Sequence, residues 1–200
     1  MSEAPSAVKI LRFDSLPSTN LKLMELGRQG APHGTVVFAL EQTAGRGTNG
    51  RSFFSPPGGV YLSVLVRGVE RKKLSSVTPM AAVAVRRTVA ELCGVETLIK
   101  PVNDLYLDGR KVCGILTQAS SSGPKTDFIV IGVGVNLFAP EGGFPKELSG
   151  IAGAISNKFD FGLRERFVEG LSRHLAEFAE RLSDENFAEE IRNEYNENLI

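Results

Sequence analysis

The chain has 200 residues, of which 42% are hydrophobic, so we expect one globular domain over residues 1–200. Its 23 basic residues balance its 23 acidic residues, and this neutral total gives no general attraction for DNA or for an anionic membrane surface. No apolar run reaches the roughly 18 residues of a membrane span, and residues 1–7 do not form a signal peptide. We therefore expect a cytoplasmic protein that binds neither DNA nor membrane.

The first third of the chain alternates short strands with one helix. A strand is predicted at Ile10–Phe13, and the residues Ser18 to Asn20 then supply N-caps for a helix over Leu21–Arg28. The β-branched and apolar segments Thr35–Leu40 and Val60–Val66 predict two buried strands.

The middle of the chain carries the clearest turn signal. A helix is predicted to open at Thr78-Pro79 and to stop at Gly94. The dipeptide Asp108-Gly109, between two apolar segments, is typical of a two-residue type I′ hairpin. A second hairpin is expected to turn through Ser120–Pro124 and to lead into an apolar strand at Phe128–Val135.

The C-terminal part predicts two amphipathic helices. Apolar residues spaced by three and four positions from Leu163 to Leu182 indicate the first. Ser183 is predicted to cap the second, with Leu182 and Phe187 as a hydrophobic staple and an apolar stripe that continues to Leu199. The pattern indicates an α+β fold, with a mixed, mostly antiparallel central sheet packed with helices.

Two sequence patterns could indicate other kinds of site, but the residues around them argue against both. The run Gly45 to Gly50 matches G-x-G-x-x-G, but two prolines and two glycines follow where a dinucleotide site needs a helix. Glu70, at the spacing of a ribose partner, lies in a segment typical of a surface turn. Cys93 and Cys113 fit no metal-ligand spacing and are predicted to be small buried residues, neither a disulfide nor a nucleophile.

Cationic residues occur at three places that favour an anionic ligand. Arg46 and Arg51 lie in the glycine-rich segment 41–59, where exposed backbone N–H groups and planar guanidinium donors suit phosphate or carboxylate oxygens. The alternative is a flexible surface loop. Lys100 and Lys111 stand beside apolar strand residues, where lysine is seldom found without a partner, although Lys111 could also lie on an exposed hairpin face.

Five segments in order along the chain resemble motifs of the biotin–protein ligase family. They are Ser18-Thr19-Asn20; Glu41 to Gly47 with Gly50-Arg51 and Ser55-Pro56; Lys100 with Asn103 to Tyr106; Gly109 to Leu116; and Gly132 to Asn136. The resemblance implies a catalytic domain of class II synthetase-like fold. It also implies a two-step reaction, in which biotin and Mg-ATP form biotinoyl-5′-AMP and the biotin then passes to a lysine of a biotin carboxyl carrier domain.

The resemblance also implies roles for individual residues. The implied biotin-binding residues are Ser18, Thr19, Asn20, Gln42, Gly45, Arg46, Lys111 and Gly114. The implied ATP-binding residues are Arg46, Gly47, Arg51, Phe53, Lys100, Asn103 and Asn136. The implied catalytic residues are Lys111, Arg46 and Asp104. Asp104 is expected to face the incoming lysine or to help hold Mg2+, and Asn136 could instead be a strand-end turn former.

The chain departs from the family pattern on the ATP side. Phe53 stands where the family has a tryptophan, Thr48-Asn49 replace a basic pair, Pro101-Val102 replace Trp-Pro, and Gln118 replaces a frequent acid. Two other functions stay open: a lipoate or octanoate ligase of the same superfamily, and a non-catalytic biotin-binding module. We further expect no preceding DNA-binding domain, no following β-barrel, and a possible homodimer through an exposed edge of the sheet.

Overall fold

The computed structural model describes residues 9–122 and 125–200, and within them seven strands form one sheet in the order β1-β2-β3-β7-β6-β5-β4. The strands are β1 Ile10–Leu16, β2 Val36–Gln42, β3 Val60–Val66, β4 Leu98–Lys100, β5 Asp104–Leu107, β6 Arg110–Ser122 and β7 Lys125–Val135. The pair β1 and β2 is parallel, and every other neighbouring pair is antiparallel. The predicted mixed, mostly antiparallel sheet is therefore confirmed.

Four helices cover the two faces of this sheet unequally. They are α1 Thr19–Arg28, α2 Leu74–Cys93, α3 Phe161–Glu180 and α4 Glu185–Glu197. Helices α2, α3 and α4 share the larger core with one set of strand side chains, such as Phe38 and Val64. Helix α1 shares a smaller core with the alternate set, such as Val37 and Leu65, which point to the opposite face. Part of that second face is left for a cavity.

Several local predictions are confirmed. Strand β3 has the predicted bounds. Asp108 and Gly109 form a two-residue turn with φ values of 50° and 73°, between the paired residues Leu107 and Arg110. Both φ values are positive, as a type I′ turn requires. Gly94 ends α2 with a φ of 67°. The predicted turn at Ser120–Pro124 falls partly on residues 123 and 124, which lie outside the described residues.

Helices α1 and α2 both begin earlier in the chain than the sequence predicts. Helix α1 starts at Thr19, so Ser18 occupies the N-cap, yet its side chain does not bond the helix and stays available for other contacts. Helix α2 starts at Leu74 and holds Pro79 inside, instead of opening at Thr78-Pro79. The reason is packing, because Val77 in this first part is buried in the larger core and Leu74 packs against that core.

The cap of α4, in contrast, lies one residue later than predicted. Ser183 belongs to a short 3-10 turn, and the carboxylate of Asp184 accepts hydrogen bonds from the backbone N–H groups of Asn186 and Phe187. Leu182 and Phe187 are both buried, as expected for an apolar pair at this point. Leu199 lies beyond the helix and pairs alongside Ile99 of β4, so it does not continue the helical stripe.

Both cysteines are free. Cys113 is buried, as predicted, whereas Cys93 is only partly buried. Burial raises the pKa of both thiols, which keeps them protonated and poorly nucleophilic. Within the described ranges, no helix is long and apolar enough to cross a membrane.

The position of the α4 cap can be tested by a matched pair of substitutions. Asp184→Ala removes the acceptor for two backbone N–H groups and should lower the free energy of unfolding by about 1 kcal/mol. Ser183→Ala should change it by less than about 0.5 kcal/mol. Urea denaturation followed by circular dichroism measures both values, and a larger loss for Ser183→Ala would restore the original assignment of the cap.

Candidate active site

Three glycines of the paired strands β6 and β7 leave a trough in the sheet beside α1. Gly114 of β6 pairs with Gly134 of β7, and Gly132 lies two residues before Gly134 in β7. A Cβ atom at Gly132 would lie 1.8 Å from Oδ1 of Asn20, and one at Gly134 would lie 2.6 Å from the ring of Phe53. These side chains therefore rest on the bare backbone of the sheet, which any larger residue would prevent.

A cavity of about 380 Å³ opens above this trough. It is lined by 13 of the predicted site residues, namely Ser18, Thr19, Asn20, Gln42, Arg46, Gly47, Arg51, Phe53, Lys100, Asn103, Asp104, Lys111 and Gly114. Gly45 and Asn136 are not among its lining residues. The motifs from distant parts of the chain thus meet at one place.

The charges that line the cavity are mostly positive. Four cations, Arg46, Arg51, Lys100 and Lys111, face one carboxylate, that of Asp104. The chain is neutral overall, but the cavity wall carries an excess of positive charge, which suits a ligand with phosphate groups.

Lys111 and Asp104 form an ion pair within the cavity. The distance from Lys111 Nζ to Asp104 Oδ1 is 2.7 Å, and both side chains are partly buried. The same amine lies 5.8 Å from the centre of the Phe53 ring, a cation–π distance. Asp104 pairs with Gly114 across β5 and β6, so the sheet itself fixes the carboxylate beside the trough. The lysine is thereby held as a positioned cation.

A neutral hydrogen-bond network occupies another part of the cavity wall. Gln42 Oε1 accepts from the backbone N–H of Thr19 at 2.9 Å, and Thr19 Oγ1 lies 3.1 Å from the same oxygen. Gln42 Nε2 donates to Ser55 Oγ at 2.9 Å. The Ser63 hydroxyl lies behind them, 2.9 Å from Thr19 Oγ1. The motif at the start of α1 is thus bonded to the end of β2.

Asn20 extends this network to strand β6. Its Oδ1 lies 2.6 Å from the Ser63 hydroxyl, and its Nδ2 donates to the carbonyl of Leu116 and to Gln118 Oε1, both at 3.0 Å. The sequence analysis did not single out Ser63, because one serine in the apolar run of β3 resembles a tolerated core residue. Gln118 was noted only as a departure from the family pattern.

The arginine-bearing segment is folded as an irregular hairpin. The Phe53 N–H donates to the Gly45 carbonyl at 2.9 Å, and the Gly47 N–H donates to the Arg51 carbonyl at 2.8 Å. One short 3-10 turn, Thr48–Gly50, lies at its tip, and Arg51 after it is extended. The residues after the glycines are therefore not helical, and this segment lacks the helix that a dinucleotide site needs.

The two predicted residues outside the cavity lining have structural contacts. A Cβ atom at Gly45 would lie 2.3 Å from the Phe53 carbonyl oxygen, so this glycine lets the two sides of the hairpin meet. Asn136 Nδ2 donates to the Gly153 carbonyl at 3.0 Å and lies 3.5 Å from the Lys111 carbonyl, tying down the backbone next to the lysine. Ligand contacts by Gly45 and Asn136 stay predictions.

The donor set for a metal ion is sparse. Across residues 9–122 and 125–200, no three histidine, cysteine, aspartate or glutamate side chains cluster where they could hold an ion. Asp104 is the one carboxylate among the cavity's lining residues, and its Oδ1 already faces Lys111. A divalent cation would therefore have to bring most of its ligands with it.

Comparison with known proteins is consistent with this geometry. Residues 11–136 match the Biotin/lipoate A/B protein ligase family. The chain belongs to this family. The matched residues include every predicted site residue, from Ser18 to Asn136.

Two curated relatives share sequence with the chain over 63–74% of its length. The bifunctional ligase/repressor BirA of Bacillus subtilis is 38% identical over 149 residues, 74% of this chain and 46% of the relative. A biotin–[acetyl-CoA-carboxylase] ligase of Paracoccus denitrificans is 37% identical over 133 residues, 63% of this chain and 54% of the relative. The chain thus spans about half the length of these curated relatives.

A solved structure extends the likeness in fold to almost the whole chain. The biotin protein ligase of Aquifex aeolicus, in complex with biotin and ATP, superposes with a TM-score of 0.78 at 23% identity. The superposition covers 96% of this chain and 78% of that one. The predicted class II synthetase-like fold is therefore confirmed.

Two glycines of the hairpin offer a matched test of its close contact. Gly45→Ala places a methyl group against the Phe53 backbone and should lower the free energy of unfolding by about 1–3 kcal/mol. Gly47→Ala meets nothing closer than 3.5 Å and should change it by less than about 0.5 kcal/mol. Amide hydrogen exchange at Phe53 should speed up in the first variant alone; equal exchange in both variants would mean that the hairpin does not depend on this contact.

Proposed function

We propose that the protein is a biotin–protein ligase, which activates biotin with ATP and transfers it to a lysine of a biotin carboxyl carrier domain. One observation carries the proposal: the Lys111–Asp104 pair and the neutral Thr19–Gln42 network line the same cavity. A carboxylic acid with a polar, uncharged head matches both features. A relative at 37% identity is named as a biotin–[acetyl-CoA-carboxylase] ligase, and one at 38% identity as a bifunctional ligase/repressor.

In the first step, an oxygen of the biotin carboxylate attacks the α-phosphorus of Mg-ATP, and the bond to pyrophosphate breaks. Negative oxygens of both reactants come together, so a fixed cation between them lowers the barrier. Lys111 is that cation, held by Asp104 and by the Phe53 ring. Arg46, Arg51 and Lys100 are exposed at the cavity and bind phosphate oxygens.

In the second step, the acceptor lysine first loses a proton to solvent, and its neutral amine attacks the acyl carbon of biotinoyl-5′-AMP. The bond from this carbon to the AMP oxygen breaks, AMP leaves, and the second proton is lost as the amide forms. Asp104 is the one carboxylate that lines the cavity, and we expect it to meet the arriving ammonium and to orient the amine. Mg2+ enters as part of the Mg-ATP substrate, because Asp104 alone offers too few oxygens for a resident ion. Phe53 provides the aromatic face for adenine in place of the family's tryptophan.

The charge of Lys111 is the first point to test. Lys111→Ala should lower kcat/KM for biotin transfer by about 100- to 1000-fold, as found when one preorganised electrostatic group is removed. Lys72→Ala is the matched control, since Lys72 is an exposed lysine paired with Glu70 outside the cavity. The measurement is Mg-ATP-dependent transfer of labelled biotin onto a purified biotin carboxyl carrier domain.

The outcomes separate the proposal from the binding-module alternative. Activity in the wild type and in Lys72→Ala, with loss in Lys111→Ala, supports the ligase. Biotin binding by the wild type without pyrophosphate release or transfer would make the protein a non-catalytic binding module. Equal activity in Lys111→Ala would remove Lys111 from the mechanism.

Ligand-dependent thermal stability tests the choice of acyl group. Biotin with Mg-ATP, at a hundredfold excess over its Kd, should raise Tm by about 5–10 °C. Lipoate and octanoate under the same conditions should raise it by less than about 1 °C. Stabilisation by lipoate or octanoate alone would instead assign the protein to the other branch of the family.

The wider context of the protein is also part of this proposal. We place its action in the cytoplasm, treat residues 1–200 as one catalytic domain, and retain a homodimer through the sheet edge as a prediction. Among residues 9–122 and 125–200, β1 has a strand partner on one side only, and this edge is where a second copy could pair.

A further inference from the structure

Three oxygen atoms meet at the neutral wall of the cavity, and we name them the acceptor cluster: Thr19 Oγ1, Ser63 Oγ and Gln42 Oε1. Thr19 Oγ1 lies 2.9 Å from Ser63 Oγ and 3.1 Å from Gln42 Oε1. Thr19 and Gln42 line the cavity, whereas Ser63 is fully buried behind them. Two oxygen–oxygen contacts of this length each need a hydrogen between them.

The hydrogen of Ser63 is committed elsewhere. The carbonyl of Leu116 can only accept, so Asn20 must present its Nδ2 there and its Oδ1 to Ser63. At 2.6 Å, the Ser63 hydroxyl therefore donates to Asn20 Oδ1. Ser63 has no second hydrogen, so it can face Thr19 only as an acceptor.

The amide of Gln42 is fixed in the same way. The backbone N–H of Thr19 can only donate, so Gln42 must turn its Oε1 toward it. Gln42 Nε2 then donates to Ser55 Oγ, whose own hydrogen goes to the Phe53 carbonyl at 2.9 Å. Gln42 thus also faces the Thr19 hydroxyl only as an acceptor.

The acceptor cluster is therefore one hydrogen short. The Thr19 hydroxyl has a single hydrogen, which can fully bridge either the contact to Ser63 or the contact to Gln42. We propose that Ser63 is a positioning residue: by accepting the Thr19 hydrogen, it leaves Thr19 Oγ1 and Gln42 Oε1 as acceptors that select an acyl group carrying an N–H donor. Because these two oxygens line the cavity, a ligand with an N–H group can donate the hydrogen bond that the protein itself lacks there.

This inference rests on the proposed function and specifies how the acyl group is chosen. The cyclic urea of biotin carries two N–H groups, whereas a dithiolane ring or an alkyl chain carries none. A site built for hydrogen bonds rejects a ligand without the matching group, because its polar atoms are then buried without partners. Ser63 would thus favour biotin over lipoate and octanoate without touching any of them.

The substitution Ser63→Ala tests this role. Without Ser63 as acceptor, the Thr19 hydroxyl can donate its hydrogen to Gln42 Oε1. The pair then no longer needs an N–H donor from the ligand. Affinity for biotin, measured by calorimetry, should fall about tenfold, the equivalent of one hydrogen bond. Affinity for a biotin analogue methylated at both ureido nitrogens should change less than twofold. In the transfer assay, KM for biotin should rise while kcat and KM for ATP stay within twofold.

The control is Ser172→Ala, which removes another fully buried serine hydroxyl. Ser172 donates to the Val168 carbonyl within α3, which packs in the larger core on the other face of the sheet. Ser172→Ala should leave unchanged the ratio of the affinity for biotin to the affinity for its methylated analogue. If Ser63→Ala does not fold, Ser63→Cys replaces the hydroxyl with a slightly larger thiol, which is a weaker donor and acceptor, and should reduce biotin affinity by a smaller factor.

Three results would overturn the inference. Equal losses for biotin and its methylated analogue, or a parallel rise of KM for ATP, would make Ser63 a purely structural residue. Unchanged biotin affinity in a folded Ser63 variant would remove the acceptor cluster from recognition. Failure of the wild type to bind biotin would reject the proposed function as well, and that failure is visible before any variant is made.

Discussion

The absence of side chains at three positions of β6 and β7 is the constraint on which the site depends. Gly114, Gly132 and Gly134 let Asn20 and Phe53 descend onto the sheet backbone. A methyl group at Gly132 would overlap the Asn20 amide and break its bonds to two strands. The missing side chains at these glycines thus determine how closely the first turn of α1 and the arginine-bearing hairpin approach the sheet. The cavity is the space between these two segments.

Local chemistry made part of this structure predictable. The Asp108-Gly109 turn needs two residues with positive φ, and the bounds of β3 follow from a run that is apolar except for Ser63. Helix starts were less predictable, since burial of Val77 extends α2 ahead of Pro79. The cap of α4 is Asp184 instead of the predicted Ser183; serine and aspartate are both favoured at N-caps, so residue type alone does not distinguish them.

The candidate site could be assembled from the sequence only through its resemblance to a family. The order of the motifs indicated which residues to bring together, and 13 of them line one cavity. Ser63 could not be found this way, because its importance comes from lying 2.6 Å from Asn20 and 2.9 Å from Thr19, residues more than 40 positions away. Such contacts depend on the tertiary packing of α1 against β3 and leave no periodic signal in the chain.

The register of the sheet also limits the shape of a ligand that could use both polar parts of the cavity. Asn20 lies over Gly132, whereas Gly134, Gly114 and Asp104 form a second row across three neighbouring strands. The two rows are two residues apart along β7, or about 6.6 Å. A Cβ atom at Gly114 would lie 3.3 Å from Lys111 Nζ, so the cation belongs to the second row. A ligand that reaches both the neutral network and Lys111 must therefore be elongated, with its polar head and its carboxylate at opposite ends.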